Sequence, residues 1–458
     1  MKRLYIILII IFPLTLSGQE LTLLQCREMA LENNKKSVIA ARNRGKAELT
    51  VKAYRANYLP RLYMHGLGYF GNMNNNIVVK PGSITLFDLS SLAFFIPQEY
   101  WQYLSILENF STLSIPDINL NLKIKNVYMA GASLEQPIYM GGKISSAYKM
   151  AKTGNAIAGL FQELTRDEII LETDKAFWLC IQARELNKSA QKYKETVDEF
   201  YRVVKNACEK GMKPQNDLMK VQVQQNKAEL MLLRTDNGVK LSLMNLCHII
   251  GISLLSEITL SETFNEQLTI VNPEADIHSR IEFSILDKQI ELKEYEKKLV
   301  KSDFMPQAGV SGSYNYLDGV KLNDEKIFNS GSFSAMVSVN IPLFHWGEGS
   351  RKIKAAEAEI DIVRLQRDHL SEKMELERMQ VLNLYNESLL EVELTRKAVE
   401  QSEENLKMSR NHYEAGMETI SDYLEAQTIL QNAQTEHIIA KTKLEICKTE
   451  YLKVTGGI

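Results

Sequence analysis

Residues that break helices are what this chain most lacks. Proline occurs 10 times in 458 residues; 143–210 contains none, and 350–415 contains neither proline nor glycine. Nothing in those two stretches stops a helix. Cysteine is equally sparse. Cys26, Cys180, Cys208, Cys247 and Cys447 form an odd set without a CxxC spacing, which argues against a disulfide framework and a thiolate metal site. They read as packed thiols, because neighbouring helix axes lie about 8–10 Å apart, more than the roughly 7 Å that a Cys180–Cys247 bridge would need. The 7 histidines show no HxxxH spacing and the 17 methionines are scattered, so neither set outlines a metal path. Phosphate loop, nucleophilic triad and carboxylate dyad are all missing, so no enzyme and no cofactor is expected. Basic charge is not in excess: 54 basic against 57 acidic residues give −3, which argues against nucleic acid as a partner. Beyond the N-terminus, no apolar run approaches the eighteen or so residues of a membrane-spanning helix.

The N-terminus itself is different. In MKRLYIILIIIFPLTLSGQE, two basic residues precede an apolar core of about ten and then small residues near Ser17 and Gly18, the layout of a secretory signal peptide. Residues 1–18 are read as that peptide. Without Lys2 and Arg3 the balance is 52 basic to 57 acidic, or −5. Cys26 follows LLQ and lacks the small residues that precede a lipidated cysteine.

The rest of the chain is one architecture written twice. A shift of 205 residues places Gly211 on Gly416, Met212 on Met417, Asp217 on Asp422, Gln222 on Gln427, Pro137 on Pro342 and Gly251 on Gly456. Upstream, NYLPRLYMHG around Pro60 matches DFMPQAGVSG around Pro306 at an offset of 246, so the first copy holds 41 more residues (246 less 205). The copies are expected at 19–251 and 277–458, joined by a linker, 252–276.

Two periodicities share each copy. Apolar residues at threes and fours (Ile353, Ala356, Ile360, Val363, then Leu389, Val392, Val399, Leu406) continue far beyond 25 residues, as in coiled coils. Helical hairpins are therefore expected at 143–250 and 348–456. Each would be a rod on the order of 100 Å, a turn at Gly211 or Gly416, and a shorter return. Helices near 34–58 and 277–303 would fill the remaining length beside each rod. In GSFSAMVSVNIPLF, by contrast, Phe333, Ala335, Val337, Val339, Ile341 and Leu343 alternate with small polar residues, a strand with one oily and one wet face. Strands are expected at about 61–70, 123–138, 307–316 and 331–344. Two contexts fit them: a soluble hairpin with one buried face, or bilayer-spanning strands, which need about 9–11 residues. In a bilayer, four strands per chain cannot close a barrel, since the smallest have about eight and an open edge leaves backbone groups unpaired in lipid. The barrel would then be shared between copies.

Taken in order and twice over, these features resemble the TolC family of outer-membrane efflux proteins. The residues that carry the resemblance are the G-x5-D turns at Gly211/Asp217 and Gly416/Asp422, YEAGMETISDYLEAQ, LEQPIYMGGK, VNIPLFHWGEG, LTLLQCREMALENN, and the F-x-P at Phe304 to Pro306. The resemblance implies a mixed helix and strand membrane protein: a homotrimer whose twelve strands form one β-barrel continuous with a helical coiled-coil barrel through the periplasm. It implies a passive duct in the outer membrane of a Gram-negative cell, meeting a periplasmic adaptor and an inner-membrane transporter at its far end. Gly211 and Gly416 would mark the periplasmic tip. Asp422 and Glu425 match the family's constriction carboxylates, and six of them around a throat would favour cations and raise some of their own pKa values. Asp217 and Tyr413 match partners in a hydrogen-bond lock on the closed tip. One departure is Glu418, where relatives carry an arginine. For Asp422 and Glu425 a solvated helix face is the plainer reading, and a soluble periplasmic coiled-coil adaptor is the alternative for the whole chain.

The insert, 72–118, lies between the first two strands as an extracellular loop or strand extension. Its aromatic residues (Phe87, Phe94, Phe95, Tyr100, Trp101, Tyr103) fit either a cap over the mouth or a surface against headgroups. GLGYFG, 66–71, spells a dinucleotide fingerprint, but it sits inside an expected strand with no helix after it.

Overall fold

The computed structural model describes residues 20–79, 83–85, 112–114, 118–261, 264, 280–327 and 330–457. The expected signal peptide, 1–18, the insert's aromatic residues and most of the expected linker lie outside them. In chain order the elements are β1 (Glu20–Leu21), α1 (Leu23–Asn33), α2 (Lys35–Ala56), β2 (Arg61–Val79), β3 (Ser83–Thr85), β4 (Thr112–Ser114) and β5 (Ile118–Met140). There follow α3 (Lys143–Glu209), α4 (Gln215–Ile249), β6 (Thr259–Leu260), α5 (Ile281–Ser302), β7 (Gln307–Leu322), β8 (Glu325–Lys326), β9 (Ser330–Asn340), α6 (Glu348–Glu414) and α7 (Ile420–Val454). They divide into a helical unit (Met1–Lys52, Ala147–Lys297, Lys352–Ile458) and a strand unit (Ala53–Ser146, Lys298–Arg351).

In the helical unit the same layout occurs twice. The long helices α3 and α6 have 67 residues each, and the returning helices α4 and α7 have 35 each. Along α3, α2 pairs through Lys36–Glu172 (2.7 Å) and Arg44–Gln162 (3.2 Å), while α4 takes the other stretch through Asn187–Asp236 (2.7 Å) and Gln225–Asp198 (2.8 Å). Along α6, α5 pairs through Lys297–Glu357 (3.1 Å) and Arg367–Asp287 (2.7 Å), and α7 through Lys443–Glu391 (2.7 Å) and Thr395–His437 (3.0 Å). Each long helix thus runs beside two shorter ones end to end.

The main apolar core joins Leu21 of β1, Cys26 and Ala30 of α1, Ile169, Phe177 and Ile181 of α3, Leu246, Cys247 and Ile249 of α4, and Leu260 of β6. A charge sits beside it. Asp174 is fully buried, held by the Arg27 guanidinium (2.7 Å) and by the Thr449 hydroxyl of α7 (2.7 Å), and this pairing offsets the cost of taking a carboxylate out of water. All five cysteines are free thiols, four of them buried; burial pushes the Cys180 thiol up to about 12.

The strand unit is an antiparallel sheet in the order β2, β5, β7, β8, with β9 also on β7. Its register sorts the side chains. Leu62↔Leu134↔Gly312↔Ala335 and Met64↔Ala132↔Tyr314↔Phe333 lie on one face, with Val310↔Val337. On the other lie Tyr63↔Ser133↔Ser313↔Ser334 and His65↔Gly131↔Asn315↔Ser332. The first face is oily and bare, Met64, Phe333 and Val337 being 88, 76 and 74 % exposed. The second is hydrogen-bonded across strands: Ser313 to Ser334 at 2.8 Å, and His65 Nε2 to Asn315 Oδ1 at 2.8 Å. Gly131 makes the second contact possible, since a Cβ there would stand 2.1 Å from Asn315 Oδ1.

Strand ends differ from the periodicity. β2 continues to Val79 through NMNNN, so this first part of the insert is a strand extension, because β5 pairs with it from Asn72 to Val79 after a bulge. β9 stops at Asn340 although the alternation runs to Leu343, because Pro342 has no N–H to pair.

Candidate functional site: the paired helical turns

Both long helices end in the same way. Gly211 and Gly416 adopt φ of +72° and +75°, where glycine is favoured because it has no Cβ. The Met212 N–H reaches the Ala207 carbonyl and the Met417 N–H reaches the His412 carbonyl, each at 2.9 Å, which caps the last turn of each helix. A Cβ at either glycine would meet nothing within 4 Å, so the requirement is conformational.

Beyond the glycines the copies diverge. In the second, Thr419 caps α7: its hydroxyl accepts from the Asp422 N–H (3.3 Å), and Asp422 Oδ2 accepts from the Thr419 N–H (2.9 Å) and hydroxyl (2.7 Å). These bonds hold the Asp422 carboxyl below the usual carboxylate range within the single chain. In the first copy Pro214 stands in Thr419's place and offers no side-chain oxygen. Asp217 is left in the first turn of α4, 4.0 Å from Lys220. Asp422 and Glu425 are both exposed, three residues apart on α7.

Asp217 and Tyr413 are not hydrogen-bonded to each other. The Tyr413 ring is engaged elsewhere: it stacks on Tyr423 (5.6 Å, 16°), meets Phe200 edge-on (5.6 Å, 68°) and carries Lys213 Nζ over its face at 4.7 Å. Phe200 and Tyr423 are 4.7 Å apart, and Val204, Val221, Ile420 and Leu424 complete a buried cluster. Burial, with Asp217 nearby, pushes the Tyr413 phenol up. Lys220 donates to Ser421 Oγ at 3.0 Å. Two hairpins from the two copies are therefore joined by an aromatic and cationic clasp. Farther along, Gln224 donates to Thr428 (3.0 Å) and Gln431 to Ser189 (3.1 Å). Such bonds contribute about 0.5–1.5 kcal/mol each, and water can replace them.

Glu418 has its own ties. It accepts from Ser409 Oγ and lies 3.1 Å from His412 Nδ1, fastening the turn to α6. The Ser409 hydroxyl, then His412, hold its carboxyl below the ordinary value. A carboxyl depressed in the fold adds stability above its unfolded pKa and loses it as pH falls through the lower folded value. The expected result is that melting temperature falls less for Glu418→Gln than for the wild type between neutral pH and about pH 3, followed by circular dichroism. Lys213, Phe200, Tyr423 and the Glu418 ties escaped the sequence reading. One signal was present: the 205-residue shift sets Lys213 on Glu418, opposite charges at equivalent turns.

Among the described residues no group of three His, Cys, Asp or Glu could hold a metal ion, and no helix is long and apolar enough to cross a membrane. The family described as outer membrane efflux protein matches residues 26–252 and 285–457. The chain belongs to the outer membrane efflux protein family. No curated protein sequence matches it. Among solved structures, it is similar to the Campylobacter jejuni CmeC outer membrane channel, with a TM-score of 0.74, 16 % identity, and coverage of 95 % of this chain and 85 % of that one. The outer membrane protein VceC of Vibrio cholerae gives 0.71, 15 %, 95 % and 96 %. The open-state MtrE outer membrane channel of Neisseria gonorrhoeae gives 0.72, 15 %, 95 % and 89 %. At such identities the likeness is one of fold. Family membership makes this efflux protein an outer-membrane channel component of a tripartite system, and its paired turns are the ends of that channel's helical hairpins.

Proposed function

We propose that three copies of the chain assemble into one passive duct whose twelve strands (three times four) close a single barrel and whose helices continue it through the periplasm. The observation that carries this is the sheet. Its four long strands, β2, β5, β7 and β9, are oily on one face and wet on the other, and β2 and β9 are left as open edges. In lipid each unpaired edge group costs several kcal/mol, so β9 of one copy pairs with β2 of the next. The helices support the same assembly: on α6, Ile362, Leu376 and Leu390 are exposed at 14-residue steps, two heptads each, with Leu365 and Met379 beside the first two. A seam at heptad spacing fits a neighbouring helix.

The turns at Gly211 and Gly416 form the closed periplasmic tip in this reading. Repeated three times, Asp422 and Glu425 supply six carboxylates to the throat and favour cations, while the aromatic and cationic clasp holds the hairpins. A periplasmic adaptor and an inner-membrane transporter engage this end, and the energy for export comes from the transporter. The test is reconstitution of the mature chain in planar bilayers. Discrete, cation-selective conductance steps from protein recovered in the outer-membrane fraction are expected; recovery in the soluble periplasmic fraction without conductance would leave the coiled-coil adaptor reading instead.

A further inference from the structure

Three glutamines are buried among the described residues: Gln224 on α4, and Gln427 and Gln431 on α7. Two of them are bonded across the seam between the hairpins. The Gln224 amide donates to Thr428 Oγ1 at 3.0 Å, and the Gln431 amide donates to Ser189 Oγ at 3.1 Å. Gln427 is different. It is 2 % exposed, and neither its Oε1 nor its Nε2 has a hydrogen-bond partner. Among the described residues it is the one buried side chain with both polar atoms unpaired.

Its place on α7 explains the isolation. Tyr423 and Gln431 stand four residues before and after Gln427, so the three share one helix face. Both flanking residues touch α3 of the other hairpin, Tyr423 through Phe200 (4.7 Å) and Gln431 through Ser189, so Gln427 points into the same seam. Between Ser189 and Phe200 the fully buried residues of α3 are Ala190 and Val197, whose side chains offer an amide no bond. Burial within one chain also keeps Gln427 out of reach of a neighbouring copy, the lumen and a docked partner. The repeat shows that this burial is particular to the second copy. The 205-residue shift sets Gln427 on Gln222, which is exposed on α4.

We propose that Gln427 is a built-in bias toward opening of the tip. Held shut, the hairpins keep an amide out of water without a partner, and a buried polar group left unpaired shifts an equilibrium against the closed state by about tenfold. Separating α7 from α3 lets water meet both atoms and removes that penalty. The clasp of Tyr413, Lys213, Phe200 and Tyr423 opposes it from one turn away, so closure is set by the difference between two local effects. Such a balance suits a gate that a docking partner moves by differential binding of modest strength. This inference rests on the reading of the turns as a closed periplasmic tip given above, and it adds the residue that works against closure.

The test compares Gln427→Met, which keeps the length of the side chain and removes its amide, with Gln222→Met as the exposed control, each in the full mature chain. Melting is followed by circular dichroism and hairpin separation by hydrogen–deuterium exchange over 420–434. Open time is recorded in planar bilayers with the clasp substitutions Tyr413→Ala and Lys213→Ala also present. Gln427→Met is expected to raise the melting temperature by about 2 °C, to slow exchange about tenfold and to shorten the open time in proportion. Gln222→Met should change none of the three. A lower melting temperature for Gln427→Met would mean that the amide is bonded, through an enclosed water for example, and would overturn the bias. A raised melting temperature with unchanged exchange would overturn it equally, by separating the buried amide from opening. Slower exchange in a chain that never conducts would sink the duct and leave the bias standing.

Discussion

Val337→Arg is expected to abolish assembly of the channel in the outer membrane, while Ser334→Lys on the same strand is tolerated. Val337 pairs with Val310 on the oily face, and Ser334 pairs with Ser313 on the hydrogen-bonded face. A basic residue on the lipid side of a barrel costs about 2–4 kcal/mol at the bilayer midplane, while lumen positions change selectivity more than stability. Three copies meet the penalty three times, which is a large share of the 5–15 kcal/mol or so that stabilises a typical folded protein. Outer-membrane fractions run unheated on denaturing gels would show it. The variant on the oily face should yield no heat-modifiable oligomer, and the control should yield wild-type amounts. Equal tolerance of both would mean that neither face meets lipid.

The second large effect concerns the tip. Tyr413→Ala combined with Lys213→Ala should raise single-channel conductance, and Asp217→Ala alone should leave it unchanged. The Tyr413 ring makes two aromatic contacts and carries the Lys213 ammonium. Aromatic pairs contribute about 0.5–1.5 kcal/mol each and an exposed cation–π contact about 0.5–1 kcal/mol. Losing roughly 2 kcal/mol per chain moves a closed–open equilibrium about thirtyfold. The Asp217 carboxylate makes no hydrogen bond to Tyr413; it lies 4.0 Å from Lys220. If Asp217→Ala opened the pore and the clasp variant did not, the hydrogen-bond lock implied by resemblance would be the correct description.

How much of this was written in the sequence depends on the range of each interaction. The long helices were legible because a helix is local: a stretch free of proline, with apolar residues at threes and fours, has few other options, and α3 and α6 run unbroken, α3 through Gly154 and Gly159. The alternation from Phe333 to Val339 was legible for the same reason, since successive side chains on a strand must point to opposite faces. Strand length was less so. NMNNN has turn composition and becomes strand because β5 supplies pairing partners 45 to 53 residues away (Asn76↔Asn121 to Asn72↔Lys125). Of the clasp, the sequence showed only the opposite charges that the 205-residue shift sets at equivalent turns, Lys213 and Glu418. Phe200, Lys213, Tyr413 and Tyr423 come from two copies of the repeat, and only the packing of one hairpin on the other brings them together. Family resemblance pointed to Tyr413; within the chain its ring meets Phe200, Tyr423 and Lys213. Asp422, read as a throat carboxylate, also caps α7 with Thr419, a role that its spacing of three residues could have revealed.

The most direct measurement is native mass spectrometry of the mature chain released from detergent micelles. Closure of the open edges of β2 and β9 by neighbouring copies predicts a single species of three chains that loses subunits only when the barrel is disrupted. A stable, fully folded single chain, or a series of sizes with no preference for three, would contradict it.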